Sequence, residues 1–231
     1  MLSESDISKF ENLIGYTFKD KSLLVQALTH SSFVNEQKIN KKPYYERLEF
    51  LGDAVLEMIS SAYLFKKYPD KKEGEMSKIR ASLVCEPALA YDAETLELKK
   101  YMQLGKGEEA TGGRNKESII ADMMEAVIGA LFLDGGIEES KRFIDNYVLT
   151  NAESMQMFSD SKSILQEMVQ GDNLGAIRYE ICGESGPEHD KIFDVRVFVG
   201  DKNLGEGSGK TKKAAEQKAA YKAILELKKS K

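Results

Sequence analysis

Apolar residues recur at intervals of three and four through most of the first 149 positions, which predicts a mainly helical region. The longest predicted helix covers residues 45–64, and another covers residues 117–133 before Asp134-Gly135-Gly136 ends it. Shorter helices are predicted over residues 22–28, 76–84, 87–91 and 140–149. No stretch of this part alternates polar and apolar residues as a strand does, so we predict an all-α region.

The pattern changes after residue 150. Residues 151–159 are polar with scattered methionines, which predicts a linker. Beyond it the sequence predicts a helix over 161–170, alternating strands over 177–181 and 193–199, a short third strand near Leu204 and an alanine-rich helix over 211–227. We therefore predict an α+β chain of two domains, an all-α domain at 1–150 and an α-β-β-β-α domain at 160–229.

The composition excludes several classes of protein. The 231-residue chain is 42% hydrophobic and 31% charged, which is typical of a folded globular protein. No apolar run approaches the roughly 18 residues that a membrane-spanning helix needs, and the acidic start lacks the features of a signal peptide. Cys85 and Cys182 lie far apart without metal-type spacing, which favours a reducing compartment. We expect a cytoplasmic protein with no membrane partner.

Charge is distributed unevenly along the chain. The net charge is −5, yet positions 202–231 carry nine Lys and three Glu, a local charge of +6 that leaves −11 on the rest. A basic tail that follows an acidic body predicts that the tail binds a polyanion.

Three carboxylates, Glu46, Glu49 and Asp53, are spaced so that they share one face of the helix predicted over 45–64. They lie within about 60° of one another on a helical wheel, opposite the apolar side. A solvated acidic face is the ordinary meaning of such a pattern. Phe50 argues against it, because this ring falls on the same acidic side and indicates a surface for a partner. At this point both interpretations stand.

Two further acids, Asp122 and Glu125, lie in a predicted helix that is apolar on nearly every side and is therefore expected to be buried. Buried carboxylates need either a cation or a basic side chain beside them. If they meet the acids of the first helix, five carboxylates converge, a donor set that suits Mg²⁺ or Mn²⁺. The chain has two histidines, and neither has a helical partner histidine, which argues against a zinc site.

A carboxylate-held Mg²⁺ and a tail that binds a polyanion together predict phosphodiester chemistry, since the ion activates water and neutralises charge on the phosphate. Glu73 is a further acid near the start of a predicted helix. The helix dipole explains Glu73 as well as a functional role does, so both explanations stay open.

The sequence Gly209-Lys210-Thr211 suggests an ATP-binding P-loop, but that motif needs a glycine where Leu204 stands. Lys210, Lys212 and Lys213 cluster instead at the expected start of the last helix, after a glycine-rich segment that we predict to be a loop. Lysines at this end oppose the helix dipole, and phosphate contacts would account for them. The alternative is a lysine-rich solvated helix.

Residues 46–53 reproduce the signature octapeptide of bacterial ribonuclease III, and the chain resembles that family over nearly its whole length. Supporting segments in the first domain are 13–16, 27–33, 73–77 and the helix of Asp122 and Glu125. The second domain resembles a double-stranded-RNA-binding domain at residues 160–167, 186–189 and 205–220. Thr211 departs from the Ser that is usual in the last of these segments, but it keeps the hydroxyl.

The resemblance implies a homodimeric endonuclease that uses Mg²⁺, with Mn²⁺ as an alternative, to cut double-stranded RNA into 5′-phosphate and 3′-hydroxyl products. Its expected role is the processing of rRNA and other structured transcripts. The implied metal ligands are Glu49, Asp53, Asp122 and Glu125, with Asp53 and Glu125 as the catalytic acids and Glu46 and Glu73 as outer acids. The implied RNA contacts are Gln166, Gln170, His189, Lys210, Lys212 and Lys213. Phe50 is expected against the partner subunit, and His30 at a structural position.

Two other functions are compatible with this sequence. A non-catalytic duplex-RNA-binding protein of the same fold would not need the acids, and all of them are present. An enzyme that acts on another duplex, such as an RNA–DNA hybrid, can be separated by a panel of substrates, because the tail is expected to contact 2′-hydroxyl groups.

Overall fold

The structure is a computed structural model that describes residues 2–37, 43–151, 161–186 and 191–229. The chain divides into two compact units, Met1–Ala152 and Glu153–Lys231. Most of the linker predicted at 151–159 lies outside the described residues, and Asn151 belongs to a short 3₁₀ helix at Leu149–Asn151. The exact domain boundaries stay a prediction.

The described part of the first unit is helical. Its α-helices are α1 (Glu4–Ile14), α2 (Lys21–Ala27), α3 (Ser31–Glu36), α4 (Glu46–Lys67), α5 (Glu73–Val84), α6 (Glu86–Thr95), α7 (Lys106–Ala110) and α8 (Glu117–Tyr147). Short 3₁₀ helices lie at Leu98–Lys100 and Gly113–Asn115. Among the described residues of this unit, β-type pairing is limited to one isolated parallel bridge between Thr29 and Gln103. The all-α prediction is therefore confirmed.

Helices α1, α3 and α7 were not predicted from the sequence. The start of α1 is a capping box, in which the side chains of Ser3 and Asp6 each accept a hydrogen bond from the other's backbone N–H. Its end is Gly15, whose φ of 68° suits a glycine. These signals are present in the sequence, whereas α3 and α7 have only 6 and 5 residues, too few for a helical period to show.

Other helices differ from the prediction in their bounds. Helix α5 begins at Glu73, before the predicted start at 76, because the Glu75 carboxylate accepts a hydrogen bond from the Lys72 backbone N–H at 3.1 Å. Helix α8 is interrupted at Gly136, whose φ of 79° and ψ of −170° are not helical. The sequence predicted that the helix ends there. The structure has a kink at that place, after which α8 continues to Tyr147.

Helices α4 and α8 cross at the centre of the first unit with their backbones in contact. A β-carbon on Gly52 of α4 would lie 1.8 Å from the carbonyl oxygen of Glu125, and one on Gly129 of α8 would lie 2.2 Å from that of Leu48. Glycine is therefore required at both positions. The fully buried side chains of α8 around this crossing include Met123, Met124, Val127 and Ile128.

The second unit is an antiparallel sheet packed against two helices. Its elements are α9 (Ser161–Gly171), β1 (Ile177–Ser185), β2 (Ile192–Val199), β3 (Lys202–Gly209) and α10 (Lys212–Lys229). The strands pair in the order β1-β2-β3. Side chains of both helices share a buried core with one face of β2, formed by Leu165, Val169, Val195, Val197, Val199, Ala215, Ala219, Ala220, Ala223 and Ile224. The predicted α-β-β-β-α order is confirmed.

The glycine-rich segment before the last helix is part of strand β3, so its prediction as a loop was wrong. A β-carbon on Gly205 would lie 2.4 Å from the carbonyl oxygen of Ala219, and one on Gly207 would lie 2.3 Å from that of Ala215. These glycines allow close approach of β3 to α10. Sequence alone does not separate this use of glycine from a turn.

Candidate active site

The crossing of α4 and α8 brings four of the predicted acids to one region of the first unit. Glu49 and Asp53 lie on α4, and Asp122 and Glu125 lie on α8. Asp53 is exposed, whereas the other three are half-buried. Because Gly52 contacts the backbone of Glu125, the helices are fixed to each other at the point where they carry these carboxylates.

Burial and mutual repulsion raise the pKa values of these carboxyl groups. Burial is the first cause that raises the pKa of Glu125 to about 8, and the charges of Asp53 and Asp122 add to it. Burial also raises the pKa of Glu49 to about 7, with Asp122 and Glu46 as the next causes. The pKa of Asp122 is raised as well, again by burial first, and that of the more exposed Asp53 is raised by partial loss of hydration and then by the charge of Glu57. The four acids therefore share one electrostatic environment.

The sequence left open whether a basic side chain or a cation offsets these acids. Arg80 of α5 lowers the pKa of Asp53, but burial and the charge of Glu57 have larger, opposite effects. Arg80 also donates to Ser61 Oγ at 2.8 Å and lies 3.9 Å from the Glu57 carboxylate. Every charge that shifts the pKa of Glu125, among the described residues, is negative. This arrangement favours a cation over a basic partner.

The donor chemistry fits a hard divalent cation. The four groups are carboxylates, which Mg²⁺ and Mn²⁺ prefer over the thiolate and imidazole ligands typical of Zn²⁺. Within the described ranges, no three Asp, Glu, His or Cys side chains are already grouped as ligands of an ion. The helix crossing that carries the four side chains is itself fixed by the backbone contacts at Gly52 and Gly129.

The two acids expected at outer positions lie on different helices. Glu46 is exposed in the first turn of α4, and its charge raises the pKa values of Glu49 and Asp122. Glu73 is exposed in the first turn of α5 and accepts a hydrogen bond from Ser77 Oγ at 2.7 Å. Its charge is not among the causes that shift the pKa values of the four central acids. A functional role for Glu73 therefore rests on the sequence.

Tyr45 is a site residue that sequence reasoning missed. Its hydroxyl donates a hydrogen bond to Asp122 Oδ2 at 3.1 Å, and its side chain is buried beside His30. His30 caps α3, because its Nδ1 accepts from the Ser32 backbone N–H at 3.1 Å, and burial is the first cause that lowers its pKa. The only sequence signal for Tyr45 is its position immediately before the acidic octapeptide.

Phe50 is a large ring on the acidic side of α4, and it is 81% exposed. It borders a groove of about 730 Å³ whose apolar lining includes Leu23, Leu51 and Leu133. A solvated acidic face does not account for an exposed ring beside an apolar groove, whereas a surface for a protein partner does. The placement of Phe50 against a partner subunit stays a prediction.

Two of the residues predicted to contact RNA lie on the exposed side of α9. Gln166 and Gln170 are four positions apart, so they share one face of the helix, and both are exposed. Leu165 and Val169, each immediately before one of these glutamines, point to the core instead. His189 lies outside the described residues.

The predicted lysine contacts surround the start of α10. Lys210, Lys212 and Lys213 are exposed, and Lys212 Nζ lies 5.6 Å from the centroid of the Phe193 ring. The hydroxyl of Thr211 accepts a hydrogen bond from the Ala214 backbone N–H at 3.1 Å. Threonine therefore caps this helix as serine would, and the departure noted in the sequence has no structural consequence here.

Comparison with known proteins agrees with this division of the chain. The family described as Ribonuclease-III-like matches residues 20–152, and the family described as Double-stranded RNA binding motif matches residues 161–227. Curated proteins named Ribonuclease 3 are 48% identical over 221 residues in Listeria welshimeri and 50% identical over 223 residues in Bacillus cereus. These alignments cover 95% of this chain in both cases, and 96% and 90% of the relatives.

The helical unit with its crossed carboxylates and the α-β-β-β-α unit define a nuclease directed at double-stranded RNA. The chain belongs to the ribonuclease III family and is an endoribonuclease that cleaves double-stranded RNA. Its second unit is a double-stranded-RNA-binding domain. The resemblance predicted from the octapeptide and from the basic tail is confirmed.

Solved structures show the same fold for the first unit. The nuclease domain of ribonuclease III from Campylobacter jejuni superposes with a TM-score of 0.58 at 43% identity, covering 63% of this chain and 97% of that one. That protein is described as having structural flexibility in a region involved in dimer formation. Across the described part of the present chain, no helix combines the length and apolarity that crossing a membrane requires.

Proposed function

We propose that Mg²⁺, with Mn²⁺ as an alternative, is held between α4 and α8 by Glu49, Asp53, Asp122 and Glu125. The observation that carries this proposal is the convergence of four carboxylates at the crossing of α4 and α8, where burial and negative neighbours raise the pKa of Glu125 to about 8. At neutral pH such a carboxyl group is either protonated or offset by a cation. A donor set of carboxylates selects Mg²⁺ or Mn²⁺ over Zn²⁺.

Asp53 and Glu125 are the catalytic acids of this proposal. Among the charged neighbours that raise the pKa of Glu125, Asp53 has the largest effect, which supports a shared role of the two acids across the helix crossing. When bound, the ion lowers the pKa of a water molecule and offsets charge on the phosphate. The half-buried Glu125 would hold this ion from the α8 side, and the exposed Asp53 would hold it from the α4 side.

The proposed reaction is hydrolysis of a phosphodiester in each strand of the duplex. The oxygen of water bonds to phosphorus, the bond from phosphorus to the 3′ oxygen breaks, and that oxygen leaves with a proton. The products are a 5′-phosphate and a 3′-hydroxyl. Glu46 and Glu73 would hold metal or substrate at the edge of the site. The match of residues 46–53 to the family octapeptide supports the role of Glu46, and the resemblance of residues 73–77 to the family supports that of Glu73.

The active protein of this proposal is a homodimer, with one active site for each RNA strand. Phe50 would pack into the partner subunit at the groove lined by Leu23, Leu51 and Leu133. Its 81% exposure supports this role, since an isolated subunit would leave the ring in water. The description of the Campylobacter jejuni domain as having a region involved in dimer formation adds support.

In the second unit we assign Gln166 and Gln170 to one minor groove of the RNA and His189 to the next. The lysines Lys210, Lys212 and Lys213 would meet the phosphates between the two grooves, where the helix N-terminus and positive charge act together. Contacts of this kind read duplex shape with little sequence content. The expected substrates are rRNA and other structured transcripts, including mRNA and tRNA precursors, in the cytoplasm.

One cleavage assay tests this proposal. Labelled duplex RNA is incubated with the full chain in Mg²⁺, in Mn²⁺ and in EDTA, alongside an RNA–DNA hybrid and a single strand. Cleavage should require the ion and the RNA duplex, and the products should carry 5′-phosphates detectable with an exonuclease that needs them. Undiminished cleavage in EDTA would contradict the metal site, and equal cleavage of the hybrid would contradict the substrate class.

A further inference from the structure

Three contacts fix the position of Tyr45 in the first unit. Its backbone N–H donates to the carbonyl of Thr29 at 3.0 Å. Its ring lies beside that of His30, with centroids 5.5 Å apart, and its hydroxyl donates to Asp122 Oδ2 at 3.1 Å. Only 5% of its surface is exposed, so packing restricts the side chain to this position.

The segment that holds Tyr45 is itself anchored. The hydroxyl of Thr29 accepts a hydrogen bond from Gln103 Nε2 at 2.8 Å, and the backbone N–H of His30 donates to the carbonyl of Gln103 at 3.0 Å. Thr29 and Gln103 are both buried. A continuous chain of contacts therefore runs from Gln103 through Thr29 to Tyr45, and from Tyr45 to a carboxylate of α8.

A hydrogen bond to one oxygen leaves a carboxylate able to bind an ion through the other. Each ionised carboxylate has two oxygens with about four lone-pair positions between them. The bond from Tyr45 to Oδ2 of Asp122 sets the direction of the group and leaves capacity at Oδ1. Partners that orient metal ligands in this way typically contribute about 10–100-fold to metal affinity or activity.

We propose that Tyr45 is a positioning residue whose hydroxyl presents the Asp122 carboxylate to a divalent cation between α4 and α8. The inference rests on the metal site proposed above and adds a residue from outside both helix faces that carry the acids. Tyr45 itself does not touch the ion or the RNA. Its removal therefore acts on metal affinity and leaves duplex binding unchanged.

The test compares Mn²⁺ binding to the full chain, measured by titration calorimetry, in the unmodified protein, Tyr45→Phe and Tyr16→Phe. Tyr45→Phe removes the hydroxyl and keeps the ring beside His30. Tyr16→Phe is the matched control, because the Tyr16 hydroxyl makes an equivalent bond to Asp134 Oδ2 at 2.7 Å outside the candidate site. We expect Tyr45→Phe to weaken Mn²⁺ binding by about 10-fold or more, and the control to leave it unchanged.

A second measurement distinguishes a loss of Asp122 orientation from a general loss of structure. The Mn²⁺ concentration for half-maximal cleavage should rise in Tyr45→Phe, whereas KM for duplex RNA and the unfolding midpoint in EDTA should stay close to those of the control variant. Equal Mn²⁺ affinity in Tyr45→Phe and the unmodified protein would overturn the role of Tyr45, as would an equal loss in Tyr16→Phe. Absence of Mn²⁺ binding by the unmodified protein would overturn the metal site itself, which is a distinguishable failure.

Discussion

The carbonyl oxygen of Glu125 occupies the space where any side chain on Gly52 would begin, 1.8 Å from the position of a β-carbon. The reciprocal contact, at 2.2 Å, lies between Gly129 and the carbonyl of Leu48. Neither contact leaves room for a methyl group, so any larger residue would force the helices apart. The distance between the acids of α4 and those of α8 therefore depends on two glycines.

Gly129→Ala should destabilise the first unit by about 1–3 kcal/mol, because an added methyl group overpacks the crossing. The cleavage rate should fall by more than the loss of folded protein explains, since α8 carries Asp122 and Glu125. Thermal unfolding and cleavage rate measure the two effects. Gly107→Ala is the control, because nothing lies within 4 Å of a β-carbon there. An unfolding midpoint for Gly129→Ala equal to that of the control would contradict the close crossing.

Glu125→Gln and Asp53→Asn should each lower the cleavage rate by about 100-fold or more, since each removes a charge expected to act on the ion at the reacting phosphate. Binding of duplex RNA, measured by gel shift in EDTA, should stay close to that of the unmodified protein, because the RNA contacts are proposed on another unit. Glu117→Gln, an exposed acid in the first turn of α8, is the control. Cleavage at the control rate by either variant would remove that acid from the catalytic role.

The raised pKa of Glu125 makes the stability of the metal-free protein depend on pH. The carboxyl group has a pKa of about 8 in the folded chain, against about 4.3 when unfolded. A folded pKa above the unfolded one adds stability at low pH that is lost as the pH rises through the folded value. The unfolding midpoint in EDTA should therefore fall between about pH 5 and pH 8, and fall less in Glu125→Gln. A midpoint that rises over this range in the unmodified protein would contradict the assigned shift.

Removal of Lys212 and Lys213 should weaken duplex RNA binding and its dependence on salt. Each phosphate contact contributes roughly 0.9 to the slope of log affinity against log salt, so Lys212→Ala with Lys213→Ala should reduce the slope by about 2 if both contact phosphates. The matched control is Lys228→Ala with Lys229→Ala, which removes the same charge from the other end of α10. A slope that falls equally in both pairs would show a general charge effect in place of contacts at the helix start.

Phe50→Ala should shift the protein from dimer to monomer in sedimentation experiments, since the exposed ring is the proposed anchor of the interface. The cleavage rate at low protein concentration should fall with the dimer fraction. Tyr91→Ala on α6 is the control, because Tyr91 is another large exposed side chain at 59%. A dimer of undiminished stability in Phe50→Ala would place the interface elsewhere.

Apart from α1, the sequence predicted the helices whose apolar residues repeat over several turns, and it located the acids that those helices carry. Helical spacing puts Glu49 and Asp53 on one face, and the apolar surroundings of Asp122 and Glu125 predict a buried pair. The resemblance to the ribonuclease III family then implied that both pairs belong to one site. Helices α3 and α7 escaped prediction because a helix of 5 or 6 residues has no repeat to detect.

Contacts between distant parts of the chain could not be predicted in the same way. Tyr45 and Asp122 are 77 positions apart, and no spacing rule relates a residue at one helix start to an acid on another helix. Nothing in the sequence around Gly52 indicates that its backbone contacts the backbone of α8. Gly205 and Gly207 resemble loop residues in the sequence, because glycine is common both in turns and where two backbone segments pack closely.

The close fit of β3 against α10 separates two kinds of position in the second unit. At Gly205 and Gly207 even a methyl group would strike the helix backbone, so these sites cannot vary. The lysines at the start of the same helix are exposed and can change without disturbing the core. Because the proposed RNA contacts include these exposed lysines, substitution of single surface charges can adjust affinity for RNA while Gly205 and Gly207 stay unchanged beneath them.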